Sequence, residues 1–469
     1  MAETRGAKVG LMGLVGVVAG SMIGGAIFAL PAKMAAGAGA GAVMIAWTVS
    51  GVGMFFLANT FSTLAQKRPD LNFGIYEYAT EGFGRFAGFE AAWGYWLSAA
   101  FGNVAFSVLI FSALGFFFPQ LSSSEPWVKT LLCSGLIWSM HFLVLQGVSS
   151  AALINAIATV AKLVPVFVVI VTCLIAFNLE TFKVDFWGER LDLGGVAAQV
   201  KSTMLVTLWA FIGIEGAAVV SGRARSPELV GKATFIGLIL CLTLYIFISV
   251  LPFGFMMESE IAALDDPSVA GVFSRLVGPW GAAFVNVGVL ISLLGAWLSW
   301  TILVAEVPCQ AAKRGLFPSF LAAENKKGAP APALWMTTIV MQLIIFLAAL
   351  SSDAFGFLIS ITSVMVLPSY LVSAAFLWQI SRGEQGLATA FATGVIATTY
   401  ALWLLYAAGL EYLMMSMFLF SAGSVVYWVS HEGPVGKRFV GGEKPAFFLL
   451  LIIAAISVLM FLTGKLTLS

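Results

Sequence analysis

Near the N-terminus runs a hydrophobic segment interrupted by glycine: Val15-Gly16-Val17-Val18-Ala19-Gly20-Ser21-Met22-Ile23-Gly24-Gly25-Ala26-Ile27-Phe28-Ala29-Leu30-Pro31. Its length and apolarity suit a bilayer crossing. Gly20, Gly24 and Gly25 occupy its middle, where a plain membrane anchor would carry Leu or Ile. Glycine costs a helix interior roughly 1 kcal/mol relative to alanine. Backbone groups freed by a break are tolerated in lipid only where they face protein or a polar cavity. A broken membrane helix of this kind points to a small-molecule site near mid-membrane.

The rest of the chain supports a membrane reading. Of 469 residues, 60% are hydrophobic and 10% are charged, against roughly 25% charged in soluble domains. The first residues, Met1 to Lys8, are polar and no signal-peptide cleavage pattern follows, so the first apolar segment is expected to stay as a membrane helix. Apolar runs mark thirteen spans, at about 9–35, 41–64, 86–118, 128–147, 152–177, 200–221, 233–257, 280–308, 333–350, 354–379, 388–408, 410–430 and 446–463. Only Gly409 to Glu411 separates the eleventh from the twelfth, so a count of twelve stays open. With the N-terminus in the cytoplasm, the inside segments hold sixteen Lys and Arg and the outside segments six. That asymmetry favours this orientation. The expected location is the plasma membrane, multi-pass, as in a bacterial inner membrane.

The loops are short, so residues 1–469 read as one transmembrane domain, with segment Glu258 to Gly278 expected as a short amphipathic outside helix. The acidic outside loops read as a solvated face. The four cysteines, Cys133, Cys173, Cys241 and Cys309, show no paired spacing, and His141 and His431 are the only histidines. No metal, cofactor or enzymatic chemistry is expected from this inventory. A small-molecule substrate and the lipid bilayer are the expected partners; nucleic acid is not, and a homodimer is possible.

A second broken helix lies in span six, Leu208-Trp209-Ala210-Phe211-Ile212-Gly213-Ile214-Glu215-Gly216. Spans one and six are five apart. Inverted-repeat transporters place broken helices at equivalent positions of two five-helix halves. This divides the chain into 9–177 and 200–379, with extra helices over 388–463. The symmetry rests on the breaks alone, without residue-level identity between the halves.

Several residues stand out inside the spans. Residues Gly20 to Gly25 suit either close helix packing or an unwound stretch whose amides bind a carboxylate at a half-helix N-terminus; three glycines in six residues favour the second. Glu215 lies deep in span six, where a charge is costly unless paired, hydrated or protonated. It reads as a structural carboxyl or as a proton-linked gate. Lys162, midway through span five, is either one half of an ion pair or a fixed cation standing where a sodium ion would sit between helices. Trp209 adjoins the second break and Trp300 sits deep in span eight, so the two are placed to close over a substrate. In span three, Tyr95 and Asn103 lie on neighbouring turns, and a mid-span asparagine needs a partner or a ligand.

These residues resemble a family. Gly20-Ser21-Met22-Ile23-Gly24-Gly25-Ala26-Ile27-Phe28 resembles the G-x-x-x-G-x-G-[IV]-F motif of the amino acid–polyamine–organocation transporters, with Ala26 in place of the last glycine. Trp209-Ala210-Phe211-x-Gly213-x-Glu215 is similar to the sixth-helix motif of its basic amino acid antiporters. Trp300 followed by Gly315-Leu316-Phe317-Pro318, and Tyr95-Trp96 followed by Asn103, are similar to their eighth and third helices. The resemblance implies an all-α membrane protein of the leucine-transporter type. It has a 5+5 inverted repeat, discontinuous first and sixth helices, and two or three extra C-terminal helices. It further implies that Ser21, Ile23, Gly24 and Gly25 face the substrate's carboxylate and amine. Trp209 and Ile212 would occlude it, Trp300 and Asn103 would meet its basic end, and Tyr95, Glu215 and Lys162 would serve gating. Gly25 stands where the motif often has serine, which points away from the agmatine-exchanging subtype. Val304-Ala305-Glu306-Val307-Pro308 points towards arginine–ornithine or lysine exchange, with Glu306 in a structural or gating role. The expected function is sodium-independent, near-electroneutral arginine/ornithine antiport. The alternatives are a proton-coupled amino acid symporter, or arginine/agmatine or lysine/polyamine exchange on the same fold.

Overall fold

The computed structural model describes residues 10–71, 75–122, 125–147, 151–189, 192–216, 224–384, 386–430 and 442–465. Span one is two half-helices, Leu11–Met22 and Ala26–Ala35, bent by 46°. Spans two to five are Ala40–Lys67, Arg85–Phe117, Pro126–Leu145 and Ala151–Ala176. Span six begins as Val196–Phe211 and breaks there; residues 217–221 of the expected segment lie outside the described residues. Spans seven to ten are Pro227–Val250, Pro279–Lys313, Ala331–Ala348 and Ala354–Ser381. Helix Ala388–Ser430 carries a non-helical Gly409 (φ +80°), which separates spans eleven and twelve where the sequence set them apart. Span thirteen, Glu443–Leu462, is only 17% buried over its most apolar stretch.

The packing follows an exchange of halves. Span one lies on seven as six lies on two, and ten lies on three as five lies on eight. Spans two and seven pair, as do three and eight, and four and nine. Replacing each span in one half by its counterpart five later leaves this set of pairs unchanged. The fold is therefore a 5+5 inverted repeat with discontinuous first and sixth helices, and the extra spans eleven and twelve lean on span ten.

Three expectations are corrected. The break in span one is narrower than Gly20 to Gly25: the helix runs to Met22 and only Ile23 to Gly25 leave it. The outside segment after span seven is two helices, Glu258–Ala262 and Ser268–Val277. Pro267 supplies no N–H and disfavours helix at Asp266 before it, which divides them. The acidic loops expected outside are also not a uniformly solvated face. Glu258 is 4% exposed, and Lys33 lies 3.5 Å from the largely buried Asp266.

Burial, reinforced by Asp185, pushes the Glu258 carboxyl up to about 7. A raised carboxyl pKa favours the folded state while the group keeps its proton. That contribution is complete below the unfolded value and is lost as pH rises through about 7. The melting temperature of the purified protein is expected to fall between about pH 5 and about pH 7, and Glu258→Gln to flatten that fall. An equally steep fall in the variant would count against this assignment.

Candidate functional site

The two breaks meet in the middle of the molecule. Where a helix stops, its last carbonyls lose their N–H partners. Gly24 N turns back to Met22 O at 2.8 Å, so Gly20 O has no i+4 partner there. Lys162 supplies the missing donors: its ammonium bonds Gly20 O at 2.7 Å and Ile23 O at 2.6 Å. It is fully buried. A cation at the C-terminal end of a half-helix is also favoured by the helix dipole. The two bonds are to carbonyls rather than to a carboxylate, which favours the fixed-cation reading over the ion pair.

Two hydroxyls tie the breaks together. Ser21 Oγ donates towards Gly213 O at 2.8 Å, with Val17 O and Val18 O of its own helix also in reach. Tyr245 of span seven places its hydroxyl 2.9 Å from Met22 O and 2.8 Å from Ala210 O. Gly213 has φ +104°, and a Cβ there would lie 2.9 Å from the Cβ of Ser21. Glycine is required at this position on both grounds.

Around this junction lie two cavities that share Ser21 and Trp300. One is narrow, about 40 Å³, between Gly24, Gly25 and Ala26 at the start of the second half-helix and Ser98, Asn103, Phe106, Trp209, Ile212 and Thr362. The first N–H groups of a helix lack intrahelical partners, so this end of the cavity suits an anion. Asn103 is 1% exposed, and neither its Oδ1 nor its Nδ2 has a partner. Buried amide groups left unpaired are costly, which marks this end for a polar ligand. The second cavity, about 190 Å³, is lined by Tyr95, Gly213, Glu215, Ser299 and Leu303. Glu215 accepts hydrogen bonds of 2.8 Å from Tyr95 and from Tyr370, which joins spans three, six and ten. Trp209 packs edge-on against Phe355 at 5.6 Å.

Most of the residues singled out in the sequence converge here, divided between the two cavities. Tyr95 and Glu215 belong to the second cavity and not to the narrow one. Ile23 lines neither, and its carbonyl is held by Lys162. Glu306 lies away from both and accepts from Gln310. Gly25 has a packing reason for lacking a side chain, since a Cβ there would lie 3.1 Å from Leu109 and 3.2 Å from Phe106. Tyr370, Tyr245, Ser98 and Thr362 were not foreseen. Ser98 Oγ donates to Thr362 O at 2.7 Å and fastens span three to span ten beside Asn103. A hydroxyl within an apolar span was the available signal for all four.

The amino acid permease family model matches residues 9–429, from the start of span one to the end of span twelve. The chain belongs to the amino acid permease family. Curated relatives of this permease include an arginine/agmatine antiporter of Chlamydia caviae, 46% identical over 98% of each chain. Another, from Chlamydia pneumoniae, is 44% identical over 99% of each. A third, from Chlamydia trachomatis serovar L2, is 47% identical over 89% of each. The permease is thus a multi-pass amino acid transporter.

Gly213→Ala is expected to strain the break by about 1–3 kcal/mol and push Ser21 out of place, and to abolish most exchange in proteoliposomes. Wild-type exchange by that variant would show the close approach to be dispensable. Lys162→Met leaves two carbonyls buried without donors, at about 1–3 kcal/mol each. The expected result is a large drop in melting temperature together with loss of transport, and retention of both would remove Lys162 from the machinery.

Proposed function

We propose that this permease exchanges cationic amino acids by alternating access, with arginine entering against agmatine. The unpartnered Asn103 amide beside Trp209 and Trp300 carries the reading. A guanidinium supplies donors for Oδ1, and an aromatic face adds roughly 1–2 kcal/mol of cation–π attraction in a dry site. Ser21, Gly24 and Gly25 at the break suit the α-carboxylate and amine.

The relatives named arginine/agmatine antiporters favour agmatine over ornithine as the counter-substrate. The missing serine hydroxyl at Gly25 does not oppose this, because agmatine has no carboxylate for such a hydroxyl to bind. Ornithine remains the second reading, on the strength of Val304 to Pro308. Lys162 in the sodium-like position makes the exchange independent of sodium. The basic-residue asymmetry supports a cytoplasmic N-terminus, and the bacterial relatives support an inner membrane. The two repeats span 9–177 and 200–379, followed by the extra helices over 388–463.

Proteoliposomes loaded with agmatine, with ornithine or with buffer, and offered labelled arginine, test this. Agmatine carries one more positive charge than arginine near neutral pH, so each arginine/agmatine turnover moves one positive charge outward. An inside-positive potential is expected to speed that exchange and to leave arginine/ornithine exchange unchanged. Uptake into buffer-loaded vesicles driven by a proton gradient would overturn antiport in favour of symport. Trp209→Leu is expected to lower kcat/KM for arginine about tenfold, on the order of 1.4 kcal/mol of lost stabilisation. An unchanged value would place occlusion elsewhere.

A further inference from the structure

We propose that Lys33, Asp353 and Asp266 form an ionic latch that holds the path shut over Trp209, at the end of the molecule the basic residues place outside. Lys33 lies in the second half-helix of span one, and its ammonium is 2.8 Å from Asp353 Oδ2 and 3.5 Å from Asp266 Oδ2. The Lys33 and Asp266 side chains are 18% and 15% exposed. Exposed ion pairs contribute little; here Asp353 is 56% exposed, but the cation is largely withdrawn from water and is shared by two carboxylates.

Its position turns the pair into a closure. Asp353 is the N-cap of span ten: its Oδ1 accepts from Gly356 N at 2.9 Å, which leaves Oδ2 for Lys33. Two residues on, Phe355 lies under the same ammonium at 5.6 Å and meets the Trp209 ring edge-on at 5.6 Å. One continuous set of contacts runs from the outside ion pair to the lid of the narrow cavity. On its other side the half-helix is fastened to helix Ser268–Val277, where Ala32 N donates to Ser268 Oγ at 3.2 Å. Asp266 sits just before that helix, on the side that Ser268 already ties to span one. The Lys33–Asp353 pair is therefore the link that must open if the half-helix and its attached loop are to leave span ten and uncover Trp209.

The latch rests on the alternating-access reading of the same site, but its test reports opening whatever the cargo. Ala99 lines the narrow cavity, and the native Cys133, Cys173, Cys241 and Cys309 are buried. An Ala99→Cys reporter in the full chain, expressed in cells, is exposed to a membrane-impermeant maleimide from outside. Lys33→Asp is expected to raise labelling several-fold. Asp353→Asn should do likewise while keeping the cap oxygen. Lys33→Arg, which keeps the cation beside both carboxylates, is expected to label like the parent. Unchanged labelling in both Lys33→Asp and Asp353→Asn overturns the latch. So does a Lys33→Arg variant that labels as fast as Lys33→Asp, or a rise equalled by the same variants without the reporter, which would mean general unfolding. Arginine exchange is assayed separately, so its absence would sink the substrate reading while a latch-dependent labelling pattern would stand.

Discussion

The arrangement turns on the Lys162 ammonium held between the carbonyls of Gly20 and Ile23. Breaking a helix inside a bilayer frees backbone groups that lipid cannot satisfy. A buried lysine is itself costly unless it finds acceptors. Each defect cures the other: the break supplies carbonyls with no i+4 donor, and the lysine supplies donors with no other place to go. Span five, which carries Lys162, packs on span eight, which carries Trp300. The first break is thereby anchored to the helix that forms the opposite wall of the site.

The second break is held differently, and the contrast suits a moving part. Among the described residues no ammonium grips it; Ser21 and Tyr245 reach its carbonyls with one hydroxyl each. A hydroxyl has a single proton, so it engages one carbonyl at a time and exchanges partners at low cost. Span seven, which carries Tyr245, packs on span one and bridges to span six through that hydroxyl. Spans one, six and seven are bound to each other by neutral hydrogen bonds. The link towards span five is the Lys162 ammonium, and the link towards span ten is the Glu215 carboxyl bonded by Tyr370.

Much of this was legible in the sequence, for identifiable reasons. Span lengths follow from bilayer thickness, and three glycines within six residues mark a break more than they mark helix packing. Gly409, flagged as a weak boundary, is where the helix departs from helical geometry. Intramembrane charge is so costly that Lys162 and Glu215 drew attention by themselves. The partners did not. Tyr370 and Tyr245 are ordinary in composition, because an apolar ring with one hydroxyl is at home in a membrane whether or not that hydroxyl works. The width of the first break was overread because three glycines permit unwinding over six residues, while hydrogen bonding confines it to Ile23 to Gly25. The reversed reading of Gly25 has the same origin. A missing hydroxyl looks like a change in ligand chemistry in one dimension, and in three it is the space occupied by Phe106 and Leu109.

That exchange of a hydroxyl for packing bears on how an antiporter accepts two cargoes of unlike ends. A site built around a strong carboxylate grip would favour the amino acid over its decarboxylated amine by the full strength of that grip, and exchange would stall with the acid bound. Here the break offers backbone amides and small residues, which are weaker and less selective than added side-chain donors. In the lining of the narrow cavity, Asn103 has both amide atoms unpartnered and shares that lining with Trp209 and Trp300. On the proposed arginine/agmatine exchange, recognition weighted towards the basic end that both cargoes share would let either occupy the site. Trp300, common to both cavities, would on that reading face the same guanidinium from whichever side it arrives.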